Sequence, residues 1–291
     1  MAHKAAFITI IGKPNVGKST LLNLLLGEKL CIVTNKAQTT RHRILGMLNT
    51  PEYQLVFSDT PGIIEDQSYH LHKKMMEAVK GAIQDADVFL YLVEAGMKAV
   101  IEEVPPAILH ATVPMFLIIN KIDTIEQAQL EAQVAAWQEI LPTAIICPIS
   151  ALHKFNHELL LAKIIDLAPI HPPYYEKEAF TDRSERFFVS EIIREKILLN
   201  YKQEIPYSCE VVITAFRENE TPIQIDAEIH VARETQKGIL IGHRGNAISQ
   251  LLKDSKKGIE AFLQQAIFLN LVVKVKDNWR NDLEYLKRRE Y

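Results

Sequence analysis

The first half of the chain alternates short apolar runs with longer segments whose apolar residues have helical spacing. The runs are rich in β-branched and aromatic residues, which predicts buried strands at Phe7–Ile11, Gln54–Asp59, Asp87–Val93, Met115–Asn120 and Ala144–Ser150. Strands that alternate with helices in this way predict an α/β fold, in which helices cover both faces of a mostly parallel, doubly wound sheet.

Helical spacing is lost in the segment PIHPPYYEKEAFTDRSER, which begins at Pro169, and it returns in RFFVSEIIREKILLN. Two strands, a long helix, a final strand and a charged terminal helix follow, and this order predicts a smaller α+β domain. We therefore predict a first domain over residues 1–171, a linker over 172–185 and a second domain over 186–291.

The composition is that of an ordinary globular protein, with 291 residues, 48% hydrophobic, 24% charged and a net charge of −3. The first half is acidic and the second slightly basic, which favours a polyanion as a partner of the second half. Cys31, Cys147 and Cys209 show no metal or redox spacing, so we expect thiols in a reducing compartment. Without an apolar run of ~20 residues or a signal sequence, we expect a cytoplasmic protein.

A phosphate-binding loop is predicted between the first strand and the first helix, where the chain reads GKPNVGKST. Gly12, Gly17, Lys18 and Ser19 complete the pattern G-x-x-x-x-G-K-[ST]. The glycines let backbone N–H groups face a phosphate, Lys18 would reach the outer phosphates, and the Ser19 hydroxyl would bind Mg²⁺. The alternative is a Gly/Pro loop with a solvated lysine.

Three further loops follow predicted strands, at the edge of the sheet where ligands bind in doubly wound folds. DTPG, which begins at Asp59, suits a partner of Mg²⁺ and a γ-phosphate contact, and NKID ends in Asp123. A carboxylate there accepts the N1 and N2 hydrogens of guanine, whereas adenine would leave it unpaired at a cost of ~1–3 kcal/mol. The backbone at Ser150 and Ala151 could reach the guanine O6.

These motifs, in this order, resemble the translation-factor-like class of small GTPases. The resemblance implies GTP and GDP as ligands, Mg²⁺ held by Ser19 and a switch threonine, and catalytic roles for Lys18, Asn15 and that threonine. KAQTTRHR offers Thr39 or Thr40 as the switch threonine, and relatives favour Thr40. The implied GTP-binding residues are Gly12, Lys13, Pro14, Asn15, Val16, Gly17, Lys18, Ser19, Asp59, Thr60, Pro61, Gly62, Ile63, Asn120, Lys121, Ile122, Asp123, Ser150 and Ala151.

The sequence departs from Ras-like enzymes after DTPG, where Ile63 replaces the glutamine that orients the attacking water. It resembles instead a subgroup with a hydrophobic residue here, in which the asparagine corresponding to Asn15 binds K⁺ near the phosphates. A cation there would supply the charge that an arginine finger supplies elsewhere. We expect slow intrinsic hydrolysis.

In the second half, a short apolar run precedes Gly242-His243-Arg244-Gly245 and a long helix. The frame I-x-I-G-x-x-G-x-x-I, which includes Ile239 and Ile248, resembles the KH RNA-binding module. The implied RNA-binding residues are Lys237, Ile241, Gly242, His243, Arg244, Gly245, Lys253, Lys256 and Lys257.

A GTPase joined to a type II KH domain resembles the Era family of bacterial GTPases over essentially the whole chain. The resemblance implies binding to the single-stranded 3′ end of 16S rRNA, a role in assembly of the small (30S) ribosomal subunit, and peripheral association with the inner membrane. We expect a monomer. Two alternatives stay open: a GTPase that regulates a protein or membrane partner, in which GHRG is only a turn, and an ATPase, which NKID disfavours.

Overall fold

A computed structural model of the chain describes residues 2–64 and 68–291. The contacts divide the chain into two units, Met1–Gln67 with His72–Asp182 and Ser68–Leu71 with Arg183–Tyr291. Each unit has its own β-sheet.

The sheet of the first unit has six strands in the order β2-β3-β1-β4-β5-β6. The strands are β1 (Lys4–Gly12), β2 (Ile44–Asn49), β3 (Tyr53–Asp59), β4 (Val88–Glu94), β5 (Met115–Asn120) and β6 (Ile145–Pro148). All pairs are parallel except β2 with β3, so the predicted mostly parallel sheet is confirmed. The edge strand β2 was not predicted.

The helices of the first unit follow the predicted segments, and they are α1 (Lys18–Leu26), α2 (His70–Gln84), α3 (Pro106–Leu109), α4 (Gln127–Ile140) and α5 (His157–Leu167). Ile8 and Ile10 in β1 and Leu21 and Leu22 in α1 are fully buried, because a parallel sheet has helices packed against it. The carboxyl ends of β1, β3, β5 and β6 consequently present the loops with the sequence motifs at one edge of the sheet.

Most of the segment predicted as a linker packs against β2 and β3. The Met47 N–H donates to the carbonyl of Phe180 at 2.9 Å, and the Leu45 N–H donates to Asp182 Oδ1 at 2.9 Å. The side chain of Gln54 accepts from the N–H groups of residues 174 and 175 and donates to the carbonyl of residue 175. The boundary between the units therefore falls after Asp182.

The second unit has a three-stranded sheet of β7 (Cys209–Arg217), β8 (Ile223–Val231) and β9 (Ile267–Val275). β8 is antiparallel to β7 and parallel to β9. Its helices are α6 (Glu185–Asn200), α7 (Glu234–Ile241), α8 (Asn246–Leu263) and α9 (Leu283–Lys287). The helix α7 was predicted only as a short apolar run. Gly238 and two isoleucines weaken its helical propensity, but burial of Leu240 in the core outweighs that preference.

Two expectations from the composition can be compared with the described residues. Cys31, Cys147 and Cys209 are buried and are not in disulfide bonds within the described residues, in agreement with the expected thiols. None of the helices within residues 2–64 and 68–291 is long and apolar enough to cross a membrane.

A buried ion pair lies on α6, inside the second unit. Glu191 and Arg194 are 6% and 2% exposed, and the Arg194 Nε donates to Glu191 Oε1 at 2.7 Å in a two-point contact. Such a pair adds little net stability over apolar residues, but loss of one partner leaves a buried charge uncompensated. The stability of the second unit therefore depends on keeping both charged side chains.

We expect Arg194→Met to lower the free energy of unfolding of the second unit by about 3–5 kcal/mol, because Glu191 loses its counter-ion. The chain has two tryptophans, so a Trp137→Phe background leaves Trp279 as the fluorescence reporter of urea unfolding in this unit. Arg186→Met removes an exposed arginine from the same helix and is the control. Equal losses for the two variants would contradict the assignment.

Candidate nucleotide and RNA sites

The phosphate-binding loop is held in shape by close backbone approach and by Lys18. Gly17 has a φ of 100°, and a Cβ at this position would lie 2.2 Å from Asn120 Nδ2, so only glycine fits. The Lys18 Nζ donates to the carbonyls of Gly12 and Lys13 at 3.0 and 2.9 Å. Burial lowers the pKa of Lys18 to about 8, and the charge of Asp59 partly opposes that shift. Phosphate in the loop would favour the charged amine.

Three oxygen-bearing side chains meet beside this loop. Ser19 Oγ and Thr40 Oγ1 both donate to Asp59 Oδ2, at 2.7 and 3.1 Å, and the two hydroxyls are 2.9 Å apart. Burial raises the pKa of Asp59, while the Ser19 hydroxyl lowers it. Asp59 Oδ1 is buried and has no hydrogen-bond partner within the described part of the chain. An all-oxygen set with an unsatisfied carboxylate oxygen fits Mg²⁺ and its water ligands.

The structure distinguishes between the two candidate switch threonines. The hydroxyl of Thr40 lies in the oxygen cluster, whereas the hydroxyl of Thr39 contacts Thr34 Oγ1 at 2.7 Å and donates to the carbonyl of Lys36 at 2.6 Å. Thr39 therefore stabilises its own loop. Of the two, only Thr40 is placed to bind a metal ion together with Ser19.

The opposite end of the site carries the carboxylate of the NKID loop. Ser150 Oγ donates to Asp123 Oδ1 at 2.5 Å, and His153 Nε2 lies 3.6 Å from Asp123 Oδ2. The hydrogen bond from Ser150 is the main cause that lowers the pKa of Asp123, so the carboxylate is an acceptor at neutral pH. Lys121, next to Asn120, pairs with Glu94 at 2.8 Å.

Asn120 connects three of the loops rather than reading a base. Its Nδ2 donates to the carbonyl of Val16 at 2.8 Å, and its Oδ1 accepts from the Ala151 N–H at 3.0 Å. The side chain is 2% exposed, so both hydrogen bonds are shielded from water. The sequence indicated that Asn120 belongs to the site, but this connecting role was missed because it depends on loops distant along the chain.

A cavity of about 570 Å³ runs from the phosphate-binding loop to Asp123. The predicted residues that line it are Pro14, Asn15, Gly17, Lys18, Ser19, Thr40, Gly62, Asn120, Lys121, Asp123, Ser150 and Ala151. The predicted residues outside its lining are Gly12, Lys13, Val16, Asp59, Thr60, Pro61, Ile63 and Ile122. Thr39, the other candidate for the switch threonine, also lines the cavity. Residues that line the cavity but were not predicted are Thr20, Ile32, Val33, Thr34, Asn35, Lys36, Gln38, Glu94, Thr124 and Leu152.

Ile63 is turned away from the nucleotide cavity. Its N–H donates to the carbonyl of Gly12 at 3.3 Å, and its side chain packs against the apolar core around β4 and β5. It lines a separate cavity of about 280 Å³ together with Lys13, Pro14, Tyr91 and Glu103. The side chain is therefore unavailable to a water molecule at the phosphates.

The GHRG turn in the second unit lies between α7 and α8 and exposes its two central side chains. Gly242 has a φ of 71°, and a Cβ there would lie 2.6 Å from the Cβ of Ala247. Arg244 and Gly245 also have left-handed backbones, with φ values of 52° and 80°. His243 and Arg244 are exposed directly before the N-terminus of α8, where a helix dipole favours an anion.

Apolar and basic side chains flank this turn. Ile239 is 50% exposed, whereas Ile241 and Ile248 are half-buried and pack against the core. Of the predicted lysines, Lys253 and Lys257 are exposed, Lys256 lies 3.7 Å from Glu260 and Lys237 lies 4.0 Å from Glu234. The structure thus places the predicted RNA-binding residues along the turn and the two helices beside it.

Comparisons with protein families agree with this division of the chain. Residues 7–121 match the family described as "50S ribosome-binding GTPase", and residues 204–280 match the KH domain. The GTPase match covers the phosphate-binding loop through Lys121, and the KH match covers the GHRG turn.

The chain is similar to Era proteins over almost its whole length. It is 43% identical to the GTPase Era of Syntrophus aciditrophicus, over 99% of this chain and 95% of the relative, and 41% identical to a chloroplastic ERA-like GTPase of rice, over 99% and 70%.

Two solved Era structures share this fold. A crystal structure of Era with MgGDPNP and nucleotides 1506-1542 of 16S ribosomal RNA is 36% identical and superposes with a TM-score of 0.93, over 98% of both chains. A point variant of Aquifex aeolicus Era, bound to GDP.AlF4-, is 35% identical and has a TM-score of 0.91, over 98% of both chains. The chain therefore belongs to the Era family, GTPases with an N-terminal GTPase domain and a C-terminal KH domain.

Proposed function

We propose that this GTPase binds the single-stranded 3′ end of 16S rRNA through its KH domain and assists assembly of the small ribosomal subunit. The observation that carries the proposal is the exposed GHRG turn at the N-terminus of α8, between lysines and an exposed isoleucine. A related Era with the same fold has been crystallised with a 16S rRNA fragment. The turn's glycines allow the backbone to press on phosphates, and an apolar groove suits unstacked bases.

The geometry of the first unit supports a proposed role in GTP hydrolysis for each of several residues. We assign charge stabilisation at the outer phosphates to Lys18, whose amine already faces the loop carbonyls. Ser19 and Thr40 would hold Mg²⁺, with Asp59 accepting from its water ligands. Bound Mg²⁺ would supply positive charge against the phosphate oxygens. Asp123 would read the guanine edge.

We also propose that K⁺ binds near the phosphates, at Asn15. Asn15 is exposed, has a left-handed backbone with a φ of 65° and lines the nucleotide cavity, so its amide oxygen can bind a monovalent cation near the phosphates. We include K⁺ as a cofactor on this ground and on the apolar character of the side chain at Ile63.

Peripheral contact with the inner membrane, action as a monomer and location in the cytoplasm stay predictions from the sequence.

The base-reading assignment predicts different outcomes for two neighbouring substitutions. Asp123→Asn should shift preference from guanine towards xanthine nucleotides, because an amide donates where the carboxylate accepts. Asn120→Ala should weaken GTP and xanthosine triphosphate alike, by roughly tenfold or more, because two buried hydrogen bonds between loops are lost. Competition of GTP, xanthosine triphosphate and ATP against labelled GDP measures both effects. Full GTP selectivity in Asp123→Asn would refute the assignment, and equal affinity for ATP would favour an ATPase.

The potassium assignment predicts that replacing K⁺ by Na⁺ lowers the rate of GTP hydrolysis and leaves GDP affinity nearly unchanged. Asn15→Ala should abolish the difference between the two salts, because the amide oxygen that selects the cation is gone. Single-turnover rates at matched ionic strength provide the measurement. Equal rates of the unsubstituted protein in both salts would remove K⁺ from the reaction.

The RNA assignment predicts that a double change, His243→Asp with Arg244→Asp, abolishes binding to a 16S rRNA 3′-end oligonucleotide and preserves GTP hydrolysis. Two carboxylates would then lie where phosphates bind, while the glycines and the core stay intact. A matched control, Lys98→Asp with His110→Asp, makes the same charge change at exposed positions in the first unit. If the turn variant binds RNA as tightly as the control, the second unit serves a protein or membrane partner instead.

A further inference from the structure

The attacking water in GTP hydrolysis needs an acceptor, because one of its protons points away from the phosphorus it attacks. Ras-like enzymes supply a glutamine directly after DxxG. Here Ile63 occupies that position and packs into the apolar core, away from the nucleotide cavity. The acceptor must come from another part of the site.

Gln38 meets the requirement from the switch loop. It lines the nucleotide cavity together with Thr40 and Gly62, the two residues expected nearest the γ-phosphate. Its backbone is left-handed, with a φ of 55°, which is costly for a residue with a side chain and is found mainly where function or packing requires it.

His72 determines the orientation of that amide. The residue is buried near the start of α2, and its Nε2 lies 3.2 Å from Gln38 Nε2. An amide nitrogen can only donate, so the imidazole Nε2 accepts and its proton is on Nδ1. The contact therefore holds the amide nitrogen of Gln38 against the start of α2.

We infer that Gln38 is the water-positioning residue of this GTPase and that His72 is the positioning residue that aligns its amide. The oxygen of Gln38 accepts a hydrogen bond from the attacking water. The water oxygen forms a bond to the γ-phosphorus, the bond from that phosphorus to the bridging oxygen breaks, and GDP leaves with the electron pair. One water proton stays on the released phosphate and the other passes to solvent, because an amide is not a base.

The test compares single-turnover GTP hydrolysis with nucleotide affinity at saturating Mg²⁺ and K⁺. We expect Gln38→Ala to lower the hydrolysis rate by roughly a hundredfold, the scale of one lost transition-state hydrogen bond, with GDP and GDPNP affinities within about twofold of the original. Gln38→Ala should also fail to form a GDP–aluminium fluoride complex, since that complex requires an ordered in-line water. His72→Ala should lower the rate, and His72→Asn, which keeps an acceptor, should restore part of it.

Gln127→Ala, an exposed glutamine on α4 outside the cavity lining, is the matched control and should leave both the rate and affinity unchanged. Gln38→Met keeps the length of the side chain without a strong acceptor and is used if Gln38→Ala does not fold. Hydrolysis at the control rate by the Gln38 variants would overturn the inference. A loss of nucleotide affinity equal to the loss of rate would also overturn it, because Gln38 would then only support the switch loop.

Discussion

The nucleotide site depends on the two hydrogen bonds of the Asn120 side chain. They join the phosphate-binding loop at Val16 to the last loop of the site at Ala151, so three strand ends keep a fixed spacing. Inside the protein such bonds are stronger than in water, and either group left unpaired would cost free energy. A side chain at position 17 would clash with the amide of Asn120, so this position of the loop must be glycine. Phosphate binding and base recognition are thereby parts of one rigid unit.

Much of the first unit could be predicted from the sequence, since buried parallel strands are continuous apolar runs and the polar motifs follow directly after them. The predicted strands at β1, β3, β4, β5 and β6 are all present. The edge strand β2 was missed because its sequence ILGMLN contains a glycine and lacks a clear period. Spacing along the chain also could not separate Thr39 from Thr40, because the curvature of the loop decides which hydroxyl reaches Asp59.

In the second unit the predicted order of helix, two strands, long helix, final strand and terminal helix is present, and α7 is an additional helix. The GHRG turn was located from its glycines, both of which have a positive φ, but α7 was not recognised as a helix. The burial of Glu191 and Arg194 could not be predicted from the sequence either, because charged residues at helical spacing normally indicate a solvated face. Gln38 gave no signal in the sequence, since its importance arises from a contact with a helix more than thirty residues away.

The segment along β2 has a practical consequence for handling the protein. An edge strand presents unpaired N–H and C=O groups that can pair with the edge of another molecule, and natural proteins block such edges. Residues 179–182 block this one, through the carbonyl of Phe180 and the carboxylate of Asp182. A truncated GTPase domain that ends where the prolines suggest a linker would expose this edge and invite self-association. The cut that keeps the domain soluble lies after Asp182.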